Sequence, residues 1–238
     1  MPMMSPFFIR LGALVAISLC LAGCGRSGSF RYKLTLAVNT PEGVKRASSV
    51  TEWKFWEVSI PARGTPHKLR GEALYLDLGP GTRPLIALLT SHLRPKNGVV
   101  LWDWPHDDLL SRLYGPSLAD FMDEMARLAS MRGPRRITPA DLPDLVTFAD
   151  VNDPKSVVEV NPNDLQATLG PNITWNEITF EMTDEPVTKG IELKLRWLPE
   201  YFQKNKNLDG YDYHFTRELA NSLKWSDFDQ SGDLKRSN

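Results

Sequence analysis

The chain has 238 residues, of which 28 are basic and 29 acidic, for a formal net charge of −1 at pH 7. This balance lacks the basic excess that nucleic-acid binding calls for, so we predict no nucleic-acid partner. The length is enough for one sizeable hydrophobic core or two small ones.

An amino-terminal targeting segment is indicated by residues 1–23. Arg10 precedes an apolar run over 11–22, which ends in Leu21-Ala22-Gly23-Cys24. At about 12 residues the run is shorter than the ~20 that cross a bilayer, so a secretory signal fits it better than a transmembrane anchor. A signal peptide without lipidation and a buried core helix are the alternatives.

The stretch Leu21-Ala22-Gly23-Cys24 resembles the lipobox of bacterial lipoproteins, in which a leucine and two small residues precede the lipidated cysteine. The resemblance implies that residues 1–23 are removed and that acyl chains such as palmitate attach to Cys24, making the membrane a partner. Since Cys20 leaves with the signal, the mature domain keeps a single thiol and forms no internal disulfide.

The same resemblance sets the expected location and boundaries. Gly25 follows the cysteine where inner-membrane lipoproteins often carry aspartate, which implies the periplasmic face of the outer membrane in a cell with two membranes. We predict a flexible tether over 24–29, a single domain over 30–226 and a polar, frayed tail over 227–238.

The domain opens with the clearest strand pattern in the chain. Apolar and polar residues alternate over 30–39, which indicates a strand with one buried face. Thr40-Pro41-Glu42-Gly43 supplies turn residues for a hairpin. In the partner strand, 47–60, the apolar positions change parity, which predicts either a bulge near Phe55 and Trp56 or two pieces serving two faces.

Further strands are predicted over 69–78 and 99–104. The run 84–89 fits a strand buried on both faces or a short helix. Because the turns are too short for parallel crossovers, we predict an antiparallel sheet in the amino-terminal half.

Helical signals dominate later. Leu118, Phe121, Met125 and Leu128 recur at helical spacing within a helix over 117–131. We also predict strands over 145–148 and 173–182, a two-turn helix from Asn161 to Gly170, and a final amphipathic helix over 215–223. The fold class is therefore α+β, a single domain whose sheet comes from the amino-terminal half and whose helices come mainly from the carboxy-terminal half.

Two longer stretches resemble an uncharacterised family of proteobacterial proteins. They include Arg31-Tyr32-Lys33-Leu34-Thr35-Leu36 through Ser48-Ser49-Val50, and Leu142-Pro143-Asp144-Leu145-Val146 through Asp184-Glu185-Pro186-Val187-Thr188. The resemblance covers most of the mature chain and implies no catalytic residue.

One cluster carries groups suited to acid-base chemistry. An imidazole, three carboxylates and two indoles fall within seven residues, Trp102-Asp103-Trp104-Pro105-His106-Asp107-Asp108. His106 with Asp103 or Asp107 would make the chain an envelope hydrolase. The alternative is that Asp107 or Asp108 caps a helix while the tryptophans fill the core.

Other catalytic and metal motifs are missing from the sequence. It has no G-x-S-x-G elbow and no H-E-x-x-H motif, so we predict no zinc site, no cofactor and no catalytic residue. The stretch 227–234 matches the opening of a calcium loop, but Asn238 stands where the bidentate glutamate belongs.

We therefore predict a lipid-anchored protein of the cell envelope, a non-enzymatic module that binds or braces an envelope partner near the membrane. The alternatives are the hydrolase built on His106 and an immunity-type lipoprotein that neutralises a toxin. Seven tryptophans would line a binding groove or, more commonly, the core.

Overall fold

The computed structural model describes residues 25–57, 66–93, 102, 104–214 and 216–234. Its longest elements form a hairpin, strand β1 over Ser27–Thr40 and strand β2 over Gly43–Trp56. The alternating residues Phe30, Tyr32, Leu34, Leu36 and Val38 are all buried, which confirms the predicted strand. Gly43 lies at φ +112°, a backbone conformation that glycine adopts without a steric penalty.

The predicted bulge in β2 is wrong. The β1–β2 register runs unbroken from Ser27 opposite Trp56 to Thr40 opposite Gly43. Trp56 is 40% exposed, so the strand does not have to bury this residue on a second face. The shift in register occurs on the other side of β1, between Ala37 and Val38 in its ladder with the later strand β9, which spans Thr174–Met182. Residues 58–60 lie outside the described residues.

A large antiparallel sheet is built around the hairpin. It adds β3 (His67–Arg70), β6 (Arg135–Arg136) and β9 (Thr174–Met182) in the order β3-β2-β1-β9-β6. Strand β1 is therefore the central strand, with antiparallel partners on both sides.

A second, smaller antiparallel sheet has the order β4-β5-β7-β8. Its strands are β4 (Leu74–Leu76), β5 (Leu85–Ala87), β7 (Leu145–Phe148) and β8 (Val157–Glu159). Strand β5 confirms the prediction of a strand buried on both faces over 84–89. Of the strand predicted over 99–104, residues 99–101 and 103 lie outside the described residues.

The single strand predicted over 69–78 is divided between the two sheets. The chain leaves the large sheet after Arg70 and enters the small one at Leu74. Gly71 lies at the crossing against Thr51, where a Cβ atom would come within 2.8 Å of the threonine Oγ1. A residue without a side chain is therefore needed where the two sheets separate.

The small sheet lies between two hydrophobic cores. Leu76, Leu85 and Leu145 face the main core, which they share with the inner face of the large sheet. Ile86, Val146 and Phe148 alternate with them and face a second core, which is closed by the carboxy-terminal part of the chain. Both faces of this sheet are therefore buried, which explains why its strands are apolar runs rather than alternating ones.

The described residues include five α-helices. They are α1 (Asp107–Tyr114), α2 (Phe121–Ser130), α3 (Gln166–Leu169), α4 (Leu198–Lys204) and α5 (Leu219–Ser222). Together with the antiparallel sheets they confirm the α+β class with mostly late helices. No helix among the described residues has the length and apolar content that spanning a bilayer requires.

Three predicted helices are shorter in the structure. Helix α2 begins only after Asp120, which caps it. Asn161 closes a turn, since its side-chain Oδ1 accepts the N–H of Asn163 at 3.0 Å, and helix α3 is therefore a single turn. Helix α5 is also a single turn, while Phe215 of the predicted final helix lies outside the described residues.

The polar tail predicted over 227–238 is instead part of the fold as far as the structure describes it. Phe228 is fully buried in the second core, and Asp227, Asp229 and Ser231 are also buried. The Phe228 carbonyl accepts the N–H of Ala73 at 2.8 Å, and the N–H of Gln230 donates to the Gly71 carbonyl at 2.8 Å. These bonds fix the segment beside the crossing between the sheets. Residues 235–238 lie outside the described residues.

Candidate functional site

Arg26 is bonded to the domain although it lies only two residues after Cys24, the predicted lipid attachment site, which itself lies outside the described residues. The Arg26 carbonyl accepts the N–H of Glu57 at 2.9 Å, and the Arg26 N–H donates to the Glu57 side chain at 3.0 Å. Strand β1 begins one residue later, at Ser27. Residues 26–29 therefore belong to the fold and do not form the flexible tether that the sequence predicts.

The Arg26 side chain ties this first segment to helix α2. Its guanidinium donates to both carboxylate oxygens of Asp120, at 3.1 and 3.0 Å, and to Asp123 Oδ1 at 2.6 Å. These hydrogen bonds raise the pKa of Arg26. Asp120 caps the helix by accepting the Asp123 N–H at 2.9 Å, and this bond, together with Arg26, lowers the pKa of the Asp120 carboxyl. The amino terminus of α2 is thereby fixed beside the start of β1.

Exposed apolar side chains lie on both faces of the sheet at this junction, since Trp56 and Phe55 alternate along β2 and Phe121 contacts Phe55. Trp56 pairs with Ser27, while Leu118 and Phe121 flank the Asp120 cap, and these three side chains are 40%, 46% and 39% exposed. The Phe121 ring also meets the Phe55 ring edge-to-face at 5.0 Å. We name this surface the N-terminal edge and define it as residues 25–27, 56–57 and 118–123.

His106 stands at the start of helix α1. It is the N-cap residue, and its carbonyl accepts the N–H of Leu110 at 3.1 Å. Asp107 and Asp108 lie exposed in the first turn, where the helix dipole favours negative charge, but the helix has no side-chain cap bond. The predicted helix is confirmed, and the predicted capping by an aspartate side chain is wrong. Asp103 lies outside the described residues, so the hydrolase based on His106 stays a prediction.

The two tryptophans of this cluster have different surroundings. Trp104 is buried, and its indole N–H donates to the Asp141 carbonyl at 2.8 Å. The Trp104 carbonyl accepts the Tyr32 hydroxyl and the Trp53 indole N–H, each at 3.2 Å. Trp102 is 57% exposed, so only one of the two fills the core as predicted.

A buried polar cluster forms that the sequence does not predict. The His92 ring stacks on Trp102 with centroids 4.4 Å apart, and its Nδ1 lies 3.9 Å from Asp227 Oδ1. The same Oδ1 accepts the Thr90 hydroxyl at 2.9 Å, and Oδ2 accepts the Lys224 N–H at 2.7 Å. Burial raises the pKa of Asp227 against these hydrogen bonds and the opposing effect of His92. Residues so far apart in the chain give no local signal.

The opening of the predicted calcium loop is engaged in internal bonds. Asp227 is held as described above, and Asp229 Oδ1 accepts the N–H of Ser231 at 2.6 Å. Asp233 instead pairs with Lys189 at 2.8 Å. Within the part of the chain that the structure describes, no three acidic, histidine or cysteine side chains are grouped to hold a metal ion.

A cavity of about 260 Å³ lies beside Asp229. We name it the C-terminal cavity; it is lined by Lys68, Leu69, Phe202, Trp225, Ser226, Asp229, Gln230, Gly232 and Leu234. The Phe202 and Trp225 rings meet edge-to-face at 4.7 Å. Asp229 Oδ2 is buried and has no hydrogen-bond donor among the described residues, and burial raises the pKa of this carboxyl.

A second buried carboxyl stands next to Asp229. Glu72 forms an antiparallel bridge with Asp229, and its two carboxylate oxygens accept the N–H groups of Gly190 and Ile191 at 2.9 and 2.8 Å. Burial raises the pKa of Glu72 to about 7 in spite of these bonds, and the nearby charge of Asp229 adds to the shift. Asp229, which lines the C-terminal cavity, therefore has a second buried carboxyl of raised pKa beside it.

No protein-family model, curated protein or solved structure matches this chain. The N-terminal edge and the C-terminal cavity are the two features of the structure that bear on function.

Proposed function

We propose that the chain is a bacterial lipoprotein, anchored to a membrane of the cell envelope through Cys24, and that its domain is a non-enzymatic binding module. The sequence Leu21-Ala22-Gly23-Cys24 supports the anchor. The observation that carries the proposal is the position of Arg26, whose backbone and side chain are both bonded to the domain two residues after Cys24. An anchor at Cys24 would therefore hold the domain through a residue that is bonded to it.

The bonded position of Arg26 limits the reach of the module. Two extended residues span at most about 7 Å, so an anchored domain would have almost no free linker. A partner must therefore come to the membrane surface, and the favoured location is the periplasmic face of an outer membrane.

The test of the anchor is a Cys24→Ser variant with Cys20→Ser as its control. We expect wild type and Cys20→Ser to fractionate with the membrane and to show the added mass of diacylglycerol and acyl chains. Cys24→Ser should carry no lipid and should leave the membrane fraction. A Cys24→Ser protein that is processed and distributed like wild type would refute the anchor.

The binding role is assigned to the C-terminal cavity. Asp229 lines this cavity, and an ionised carboxylate there favours a ligand that brings a positive charge and N–H groups. The aromatic faces of Trp225 and Phe202 suit the same ligand, since a cation is attracted to them. The proposed ligand class is therefore a small organic ammonium ion or an ammonium-bearing side chain.

Calorimetric titration with ethylammonium tests this assignment. Asp229→Asn, which keeps the acceptor for Ser231, should weaken binding by about tenfold or more, as expected for a lost charged hydrogen bond. Because the pKa of Asp229 is raised, binding by wild type should strengthen as the pH rises and the carboxyl ionises. Asp233→Asn, at a half-exposed carboxyl paired with Lys189, is the matched control and should bind normally. Equal binding by Asp229→Asn and wild type would remove the cavity from the proposal.

A further inference from the structure

We propose that the N-terminal edge docks onto the bilayer, with Trp56, Leu118 and Phe121 in the lipid headgroup region. This inference rests on the proposed lipidation of Cys24 and adds to it the orientation of the domain. The occupant of the exposed apolar surface is thus the membrane itself.

Only a short stretch of chain separates the proposed anchor from the N-terminal edge. Arg26 is bonded to Glu57 and Asp120, so it cannot move away from the edge without breaking these contacts. Cys24 lies within about 7 Å of Arg26 along the chain. The interfacial layer on each side of the hydrocarbon core is roughly 5 to 7 Å thick. Residues that surround Arg26 must therefore lie in or next to the headgroups when Cys24 carries acyl chains.

The side chains of the N-terminal edge suit contact with lipid headgroups. A half-exposed tryptophan and phenylalanine suit the interface, where aromatic rings keep one side apolar and the other hydrated. The charged groups at this edge are Arg26, Glu57, Asp120 and Asp123, of which Arg26 binds both aspartates. The edge keeps an acidic excess, so we expect it to contact zwitterionic headgroups rather than anionic ones.

The other end of the hairpin lies far from the proposed anchor. Strand β1 has 14 residues and extends about 45 Å, so the turn after Thr40 is far from Gly25. Val44 is 53% exposed there, beside charged residues such as Glu42 and Lys45, which form an ion pair. An exposed apolar side chain at the distal end therefore serves as a matched control.

The experiment uses the full lipidated protein in phosphatidylcholine and phosphatidylethanolamine vesicles. The proposed lipidation consumes Cys24 and processing removes Cys20, so a single engineered cysteine is the only free thiol. We would label Trp56→Cys, Phe121→Cys and the control Val44→Cys with an environment-sensitive fluorophore. Labels at 56 and 121 should show a blue-shifted emission and should be quenched by a lipid with a nitroxide on its headgroup. The label at 44 should show neither the blue shift nor the quenching, as expected for a fluorophore in water.

Each outcome separates the two proposals. If the protein carries lipid and floats with the vesicles but the labels at 56 and 121 report water, docking is wrong and the anchor stands. If equal insertion is found at 44, the edge does not orient the domain and the inference is also wrong. If the protein lacks lipid and does not float, the anchor itself fails. Phe121→Ser, expected to reduce the quenching of a label at 56, checks that the edge inserts as a unit.

Discussion

The two hydrophobic cores lie on opposite faces of the same small sheet but are organised by different means. Long strands with alternating side chains build the main core, where Phe180 and Leu36 are fully buried. Short helices and irregular segments close the second core around Phe148 and Phe228. One sheet can therefore be covered by regular apolar packing on one face and by hydrogen-bonded loops on the other.

Buried polar side chains hold the irregular layer in place. Asn221 Oδ1 accepts the N–H of Thr216 at 3.1 Å, and its Nδ2 donates to Asp209 Oδ2 at 2.6 Å. Glu72 ties the Gly190 and Ile191 N–H groups to the crossing between the sheets. The second core should therefore respond to pH and to the loss of single polar groups more strongly than the main core.

The largest expected effect comes from Phe228→Ala. This substitution should lower the free energy of unfolding by about 3 to 5 kcal/mol, because it leaves a cavity in place of a fully buried ring. Phe121→Ala, at a residue 39% exposed, should cost much less. Urea denaturation followed by circular dichroism measures both. A near-neutral Phe228→Ala would show that the carboxy-terminal segment does not stabilise the second core.

The free energy of unfolding should depend on pH through Glu72. Folding raises the pKa of Glu72 from 4.5 to about 7, so the protonated side chain stabilises the fold below pH 4.5 and this contribution is lost as the pH rises through 7. The shift corresponds to about 3 kcal/mol. The free energy of unfolding should fall between pH 5 and pH 8 in wild type, and this part of the fall should vanish in Glu72→Gln.

The control for the pH experiment is Glu200→Gln, at an exposed carboxylate paired with Lys204. It should keep the wild-type pH profile. If Glu72→Gln keeps that profile as well, the carboxyl is not the group that makes the second core sensitive to pH.

The smallest effect is expected at the crossing between the sheets. Gly71→Ala should cost about 1 to 3 kcal/mol, because its Cβ would lie 2.8 Å from Thr51 Oγ1 and 3.1 Å from Thr51 Cα. Gly28→Ala is the matched control, since its Cβ would meet only the flexible end of Met122 at 3.2 Å and Met125 Cβ at 3.6 Å. Thermal unfolding compares them. Equal stability of the two variants would mean that the crossing tolerates a side chain.

The parts of the fold that the sequence predicts are those with a local pattern. Strand β1 follows from alternation over 30–39, and its turn follows from Pro41 and Gly43. The carboxy-terminal layer has no such pattern, because Phe228 is one apolar residue among polar ones. Its burial is decided by backbone bonds to Gly71 and Ala73, more than 150 residues earlier in the chain.

The same limit applies to the candidate site. Lys68, Phe202 and Asp229 line one cavity although no spacing in the chain connects them. The apolar side chain of Trp56 predicts burial, whereas it lies 40% exposed at the end of β2. The lipobox pattern around Cys24 is local and can be recognised from the sequence, but the surface beside it appears only in the fold.

The central position of β1 has a mechanical consequence. A pulling force applied through Gly25 would act along this strand, whose ladders with β2 and β9 run parallel to the force. Many hydrogen bonds would then share the load in shear, whereas a force across a sheet edge would break them one after another. A domain tethered in this way would resist unfolding under a pull on its amino terminus.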